Sequence, residues 1–157
     1  MWKFAAVLGV VSLSACTPGP DAFTVLLPPS QWTQEQRTFA SAQSLRGLCW
    51  SLRQGWSSPP KSATKISYTN KDYAVIEGML REKGLTRRDV EITRDKSVDF
   101  GTGQTPKGLF CSLGYEPNVN KSFLGGKHRW QAVLNDGDYV YLEGDGTIEG
   151  MRVTGWN

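Results

Sequence analysis

Residues 119–156 read VNKSFLGGKHRWQAVLNDGDYVYLEGDGTIEGMRVTGW, and this segment indicates the fold class most directly. Its polar and apolar side chains tend to alternate, which is typical of strands with one buried face. Gly125-Gly126 and Asn135-Asp136-Gly137 favour tight hairpin turns because these residues tolerate positive φ. Gly150 or Gly155 could mark a bulge in the last strand. We therefore predict a three- to four-stranded antiparallel meander, built from the segments 119–123, 128–134, 138–143 and 147–156.

The residues ahead of this stretch have the period of helices instead. Thr33-Gln34-Glu35-Gln36 has the form of a capping box, and apolar residues follow at steps of three and four as far as Gly55. This pattern predicts a first helix over 34–54. Further helices are predicted to begin after Thr69 or Asn70, after Thr86 and after Thr105. Helices followed by antiparallel strands predict an α+β fold: an N-terminal helical hairpin, a short helix and the meander.

The length and the composition exclude several classes of protein. The chain has 157 residues, 39% of them hydrophobic, and a formal net charge of +3. One domain with a real core fits these values, whereas a disordered chain or a strongly basic nucleic-acid binder does not. Three Cys and one His cannot complete a Cys/His zinc site within one chain.

The first sixteen residues have the pattern of a bacterial lipoprotein signal. Lys3 precedes an uncharged run over 4–15, which is too short for a bilayer-spanning helix of roughly 20 residues. The run ends in Leu13-Ser14-Ala15-Cys16, which resembles the lipobox, where the signal is cut before the Cys and the Cys is acylated. We predict a signal peptide over 1–15 and a lipidated Cys16. The alternative is an ordinary secretory signal with a chance Cys.

The remaining chain divides into a tether and one domain. Residues 16–30 are rich in Pro and read as a semi-rigid spacer, although 23–27 could dock on the domain as an edge strand. Residues 31–157 are predicted to form a single α+β domain, with a helical part over 31–97. Thr17, which is not the Asp associated with inner-membrane retention, favours an outer-membrane, lipid-anchored and periplasm-facing location.

The C-terminal part, residues 98–157, resembles the SmpA/OmlA (BamE-like) family of small bacterial outer-membrane lipoproteins. The residues that carry the resemblance follow one order along the chain: Gly103-Gln104-Thr105, Leu109, Gly114-Tyr115-Glu116-Pro117, Asn120, Trp130, Tyr139-Val140-Tyr141-Leu142 and Trp156. Upstream, Leu48-Cys49 and the segment 76–85 are similar to a helical hairpin found ahead of such domains. The resemblance implies a helix followed by strands, contact with other envelope proteins in barrel assembly or envelope integrity, and no catalytic residues.

Two thiols remain once Cys16 is lipidated. Cys49 and Cys111 both lie on predicted helices, and an exported location is oxidising. We expect a disulfide between them, and two buried free thiols are the alternative.

Candidate catalytic and metal sites are weak in this sequence. His128 is the only imidazole, and a nucleophilic pair with Cys111 is conceivable, but Cys111 has a better partner in Cys49. Acidic residues crowd the final turns, yet their spacing misses the EF-hand loop. We expect no catalytic residues, no metal and no cofactor. The acidic residues in question are Asp136, Asp138, Glu143, Asp145 and Glu149.

Binding to another envelope protein is the leading prediction for function. The candidate interface residues are Arg81, Lys83, Arg87, Arg88, Trp130 and Trp156. The basic ones read either as a solvated helical face or as a contact with a membrane or an acidic partner. A non-enzymatic, lipid-anchored scaffold or binding lipoprotein fits these features. The alternatives are an accessory subunit of a secretion complex, or an inhibitor that inserts loops 115–126 and 135–137 into a hydrolase.

Overall fold

A computed structural model describes residues 28–42, 44–57 and 66–157. The predicted signal peptide 1–15, the predicted lipidation site Cys16 and the segment 23–27 lie outside these residues. The segment 58–65, which would close the predicted helical hairpin, lies outside them as well.

The described residues form five α-helices and six strands in an α+β arrangement, as the sequence predicts. The helices are α1 (Gln34–Ser41), α2 (Leu45–Gln54), α3 (Asn70–Glu82), α4 (Arg87–Arg94) and α5 (Pro106–Leu113). The strands are β1 (Trp56–Ser57), β2 (Ile66–Ser67), β3 (Asn118–Leu124), β4 (Lys127–Val133), β5 (Tyr139–Gly144) and β6 (Arg152–Trp156). A single 3₁₀ turn, Pro29–Gln31, precedes α1.

The predicted helix over 34–54 corresponds to two helices, α1 and α2. Ser44 has an extended backbone, with φ −60° and ψ 149°, and its Oγ accepts a hydrogen bond from the Gly47 amide at 3.2 Å. Ser44 therefore caps a new helix. The apolar period runs through the break, which is why periodicity alone misses it.

The four long strands form one open antiparallel sheet in the order β3-β4-β5-β6. The register places Lys121 opposite Trp130, and Trp130 opposite Leu142. A register shift opposite Tyr141 and Leu142 puts an irregularity in β6 beside Gly155, one of the two predicted bulge positions. The meander prediction is confirmed.

The last strand is shorter than the predicted 147–156. The Thr147 Oγ1 accepts from the Gly150 amide at 2.9 Å, and the Asp145 Oδ1 accepts from the Thr147 amide at 2.8 Å. These side-chain hydrogen bonds compete with a strand ladder and hold 147–150 as a turn. Hydrogen bonds from the Thr147 hydroxyl and amide also lower the pKa of Asp145.

Two hydrophobic cores share α5. The helical core contains Leu48, Leu52, Ile76 and Leu80 among others, and Cys111 of α5 belongs to it. The sheet core contains Trp130, Ala132, Val140, Leu142, Met151 and Val153, and Leu109 of α5 belongs to it. Since Leu109 and Cys111 lie on one short helix, α5 connects the two cores.

A buried Asp89 carboxylate joins the starts of α4 and α5. Its Oδ2 accepts from the Thr86 amide (2.8 Å) and hydroxyl (2.7 Å), and its two oxygens accept from the Thr105 amide (2.7 Å) and hydroxyl (2.9 Å). Thr86 and Thr105 are the N-caps of the two helices, so one side chain satisfies both ends. Gly108 makes room for it, because a Cβ at that position would overlap the Asp89 carboxylate.

A second carboxylate, that of Asp72, accepts hydrogen bonds from backbone amides at the start of α3. Its Oδ2 accepts from the Thr69 amide at 2.7 Å, and its Oδ1 accepts from the Ser30 amide at 2.8 Å. Burial alone would raise the pKa of Asp72, but the hydrogen bonds from Thr69 and Ser30 outweigh it and lower the pKa to about 2. This carboxylate thereby fastens the entry of the described chain to α3.

Candidate binding surface

Strand β3 is the least covered element of the sheet. All seven of its residues are exposed, whereas β4 and β5 each contribute buried side chains to the sheet core. Val119 lies opposite Ala132 and Lys121 lies opposite Trp130. Residues directly opposite each other share a face, so Val119 and Lys121 lie on the same face as the sheet core. That face of β3 is open to solvent.

A groove of about 630 Å³ lies between α5 and the inner face of β3. Leu109, Trp130, Ala132 and Leu142 contribute apolar surface to it, and Phe110 contributes more from α5. We call it the α5–β3 groove. Helix α5 ends at Leu113, and Gly114 follows it in a left-handed conformation with φ 76°.

Charged groups in the groove are predominantly basic. The Lys121 ammonium lies 4.3 Å from the centroid of the Trp130 ring, a cation–π contact. Among the described residues, no carboxylate lies within salt-bridge distance of Lys121. Lys107 also lines the groove and pairs with Glu149 at 3.3 Å, and Glu116 is the acidic residue that lines it.

The two edges of the sheet differ. At β6, the Gly103 amide donates to the Val153 carbonyl and the Val153 amide donates to the Gln104 carbonyl, both at 2.8 Å. The 103–104 segment thus covers that edge. No described strand pairs with β3 on its outer side, so the β3 edge can accept a further strand.

The two predicted interface tryptophans are placed differently by the structure. Trp130 is 6% exposed, and it contributes to the sheet core as well as to the groove. Trp156 is 52% exposed and makes an edge contact with Phe100 at 5.4 Å between ring centroids. Trp130 is therefore largely buried beneath Lys121, whereas Trp156 lies on β6, the edge strand with which the 103–104 segment pairs.

The predicted basic interface residues lie on or beside α3 and α4. Arg87 pairs with Glu91 at 2.8 Å, and Arg88 approaches Glu91 at 3.8 Å. Arg81 and Arg87 line a shallow depression that also contains Glu91, and Lys83 follows the end of α3. Carboxylates intersperse this basic group, so the geometry favours a solvated helical face over a membrane contact. The structure does not bring these residues together with Trp130 or Trp156.

The predicted disulfide partners are adjacent. The Cys49 and Cys111 sulfur atoms lie at disulfide distance, 2.01 Å, with 5.0 Å between the Cα atoms. This Cα separation falls well inside the limit of about 7 Å for a bridge. Both side chains are buried in the helical core.

The conceivable Cys111–His128 pair is not assembled. Cys111 lies in the helical core beside Cys49, whereas His128 lies in β4 and packs on Phe123 with 4.8 Å between ring centroids. Across the part of the chain that the structure describes, no group of three His, Cys, Asp or Glu side chains could hold a metal ion. In the acidic final turns, Glu143 pairs with Arg129 and Asp136 accepts from the Asp138 amide.

The two segments that an inhibitor would insert, 115–126 and 135–137, contain a strand and a tight turn. Residues 118–124 are strand β3, paired residue by residue with β4. Residues 135–137 form a tight turn, in which the Gly137 amide donates to the Leu134 carbonyl at 3.1 Å. Insertion of these segments into a hydrolase stays a prediction.

Lys121 and the β3 edge were missed as functional candidates at the level of the sequence. A signal was available. Edge strands often carry a lysine at their centre, on the same face as apolar residues. Val119, Lys121 and Phe123 have this arrangement.

None of the described helices is long and apolar enough to span a membrane. Comparison with known proteins finds no matching family model, no matching curated protein and no matching solved structure. The resemblance of residues 98–157 to the SmpA/OmlA family stays a prediction.

Proposed function

We propose that the chain is a lipid-anchored, periplasm-facing lipoprotein of the bacterial outer membrane that binds another envelope protein and catalyses no reaction. In this role it supports an envelope protein assembly or the integrity of the envelope. The observation that carries the binding role is the β3 edge beside the α5–β3 groove, with which no described strand pairs. An edge strand with free backbone groups that adjoins an apolar groove favours a protein partner, while Lys121 on its inner face opposes unspecific pairing.

Two further features support the location. The lipobox-like residues 13–16 favour acylation of Cys16, and three acyl chains would hold a protein far more firmly than one. Cys49 and Cys111 lie at disulfide distance, which suits an oxidising compartment outside the cytoplasm. A helical hairpin over 31–97, stapled to α5 through this pair, is the finer arrangement that we propose for the domain.

Metabolic labelling with palmitate tests the anchor. We expect the full chain expressed in bacteria to incorporate label and to fractionate with the outer membrane, and the Cys16→Ser variant to lose both. The matched control is the Cys49→Ala/Cys111→Ala double variant, which should keep the label because acylation does not involve these positions. Label that survives Cys16→Ser would contradict the anchor.

Site-specific photocrosslinking in intact cells tests the binding role. A crosslinker at Asn120, which is exposed on β3, should capture one protein at high yield. A crosslinker at Glu82, which is exposed on α3, is the control and should not capture it. A stoichiometric partner that copurifies from solubilised membranes would identify the chain as a subunit of a larger machine. Equal capture from both positions would contradict the assignment of the partner to β3.

A further inference from the structure

We propose that β3 binds an extended segment of the partner as an added strand, and that this segment carries an acidic side chain between two apolar ones. The proposal rests on the proposed function, because the segment belongs to the envelope protein that the chain binds. It goes further by stating how the segment binds and which side chains it needs.

The backbone of β3 is arranged for such pairing. The two-residue turn at Gly125-Gly126 makes Leu124 and Lys127 a hydrogen-bonded pair of the β3–β4 hairpin. Counting back from this pair, the amide and carbonyl groups of alternate residues point away from β4. These residues are Val119, Lys121 and Phe123, so three residues present their backbone groups along the open edge.

The side chains of the same three residues define what the added strand must carry. Val119 is 38% exposed and Phe123 is 64% exposed, and each needs an apolar neighbour to be covered. Lys121 lies between them without a carboxylate partner in the described chain, so it favours an acidic residue directly opposite. The required pattern is apolar, any residue, acidic, any residue, apolar, and it reads the same in both strand directions.

The α5–β3 groove extends this recognition beyond the edge. Inward-facing side chains of an added strand would face the side of the groove to which Phe110 and Val119 contribute apolar surface. The Lys121 ammonium lies over the Trp130 ring, on the β4 side of its own strand. Because the lysine side chain is long, flexible and exposed, its ammonium can turn from the ring to a carboxylate on the added strand.

Charge disfavours a second copy of the chain at this edge. In the antiparallel register that pairs all of β3 with its counterpart, Lys121 would lie directly opposite Lys121 of the other copy. Like charges in directly opposite positions destabilise a strand pair. The same lysine that fits an acidic segment thus opposes self-association.

A peptide-binding experiment tests the proposal on the full chain purified in detergent. The probe is a fluorescein-labelled peptide of seven residues, equal to β3 in length, with a central glutamate, a valine two positions to either side and threonine elsewhere. The control peptide has lysine in place of glutamate. We expect fluorescence anisotropy to report binding about tenfold tighter for the glutamate peptide, with a preference that weakens as salt is added.

Two matched lysine variants isolate the charge contact. Lys121→Glu should reverse the preference so that the lysine peptide binds more tightly. Lys127 is an exposed lysine directly after the turn of the same hairpin, and Lys127→Glu should leave the preference as in the wild type. Both positions are exposed, so both variants should keep the thermal midpoint of the unmodified chain, which circular dichroism checks.

A change in the probe isolates the backbone contact without altering the protein. Methylation of alternate backbone nitrogens of the glutamate peptide removes the donors that an added strand needs. We expect this probe to bind at least about tenfold more weakly when the methylated edge faces β3, and nearly as well as the parent when the opposite edge is methylated.

The outcomes separate this proposal from the proposed function. Equal binding of the two charged peptides, or an unchanged preference in Lys121→Glu, would overturn the strand-addition proposal even if Cys16 is acylated. Peptide binding with the expected preference would support the proposal even if the palmitate experiment fails. A dimer in light scattering that Lys121→Glu abolishes would assign the edge to a second copy, and would overturn it.

Discussion

The helical region and the sheet are held together in different ways. The helical region depends on links between residues distant in sequence: the Cys49–Cys111 pair, the Asp89–Thr105 hydrogen bonds and the Ser30–Asp72 hydrogen bond. The sheet consists of neighbouring strands joined by turns, with its core on one face and an exposed strand at one edge. The long-range links therefore lie in one part of the fold, and the strand that no described strand covers lies in the other.

The largest effect should come from breaking the covalent link. Because the two cysteines are 62 residues apart, the Cys49→Ala/Cys111→Ala variant should lose about 4 kcal/mol of unfolding free energy by the chain-entropy estimate. Urea unfolding followed by tryptophan fluorescence measures this loss. The wild type treated with a reductant is the control and should match the variant.

Hydrogen exchange of the same variant tests whether the helical region and the sheet unfold together. Since α5 contributes Leu109 to one core and Cys111 to the other, amides in α2 and in β4 should lose protection together. If β4 and β5 kept the protection of the wild type, the two regions would unfold separately. The prediction of a single domain over 31–157 would then be wrong.

A smaller effect should follow removal of the carboxylate that joins α4 to α5. Asp89→Ala leaves the half-buried cap Thr86 and the buried cap Thr105 without their acceptor, which should cost about 3 kcal/mol. Asp95→Ala is the control, since Ser97 is the only described residue that donates to the exposed Asp95 carboxylate and its loss should cost less than about 0.5 kcal/mol. Similar losses in the two variants would show that Asp89 is a local cap and does not join the helices.

The smallest effect is a pH dependence at the entry of the chain. The pKa of Asp72 lies at about 2 in the fold, below its ordinary 3.8, so its ionised form stabilises the protein above pH 3.8. This contribution is lost as the pH falls from 3.8 through about 2. Allowing for screening by solvent, it amounts to on the order of 1 kcal/mol.

The Asp72→Asn variant measures this contribution of Asp72 to the stability. Urea midpoints between pH 5 and pH 2 should fall less steeply for the variant than for the wild type. Asp145→Asn is the control in the sheet. Thr147 also lowers the pKa of Asp145, but this carboxylate is exposed, so the curve of the variant should stay close to that of the wild type. Parallel curves for Asp72→Asn and the wild type would show that the Ser30–Asp72 contact does not stabilise the fold.

The parts of the fold that short-range chemistry determines were predictable. The caps at Thr69, Thr86 and Thr105 act within three residues along the chain, and so do the turns at Gly125-Gly126 and 135–137. Such signals are readable because the interacting groups are close in the sequence. The α+β class follows from them.

The parts that were missed depend on contacts between distant residues or on competition between local ones. Asp89 reads as an ordinary cap of α4, and nothing near it shows that it also binds Thr105, sixteen residues away. The alternation in 118–124 reads as a half-buried strand, but whether α5 covers it depends on where a different element ends. The periodicity of apolar residues along the chain therefore could not predict the α5–β3 groove.

The Cys49–Cys111 link also determines how the chain would carry a mechanical load. A force applied between the two ends of the oxidised chain passes directly from residue 49 to residue 111 and bypasses 62 residues of backbone. At roughly 3.4 Å for each extended residue, the fully stretched chain is about 200 Å shorter than after reduction. Helices α3 and α4 lie wholly inside the bypassed loop, whereas the sheet lies outside it. Tension applied to the ends would thus extend the sheet while leaving these two helices unloaded.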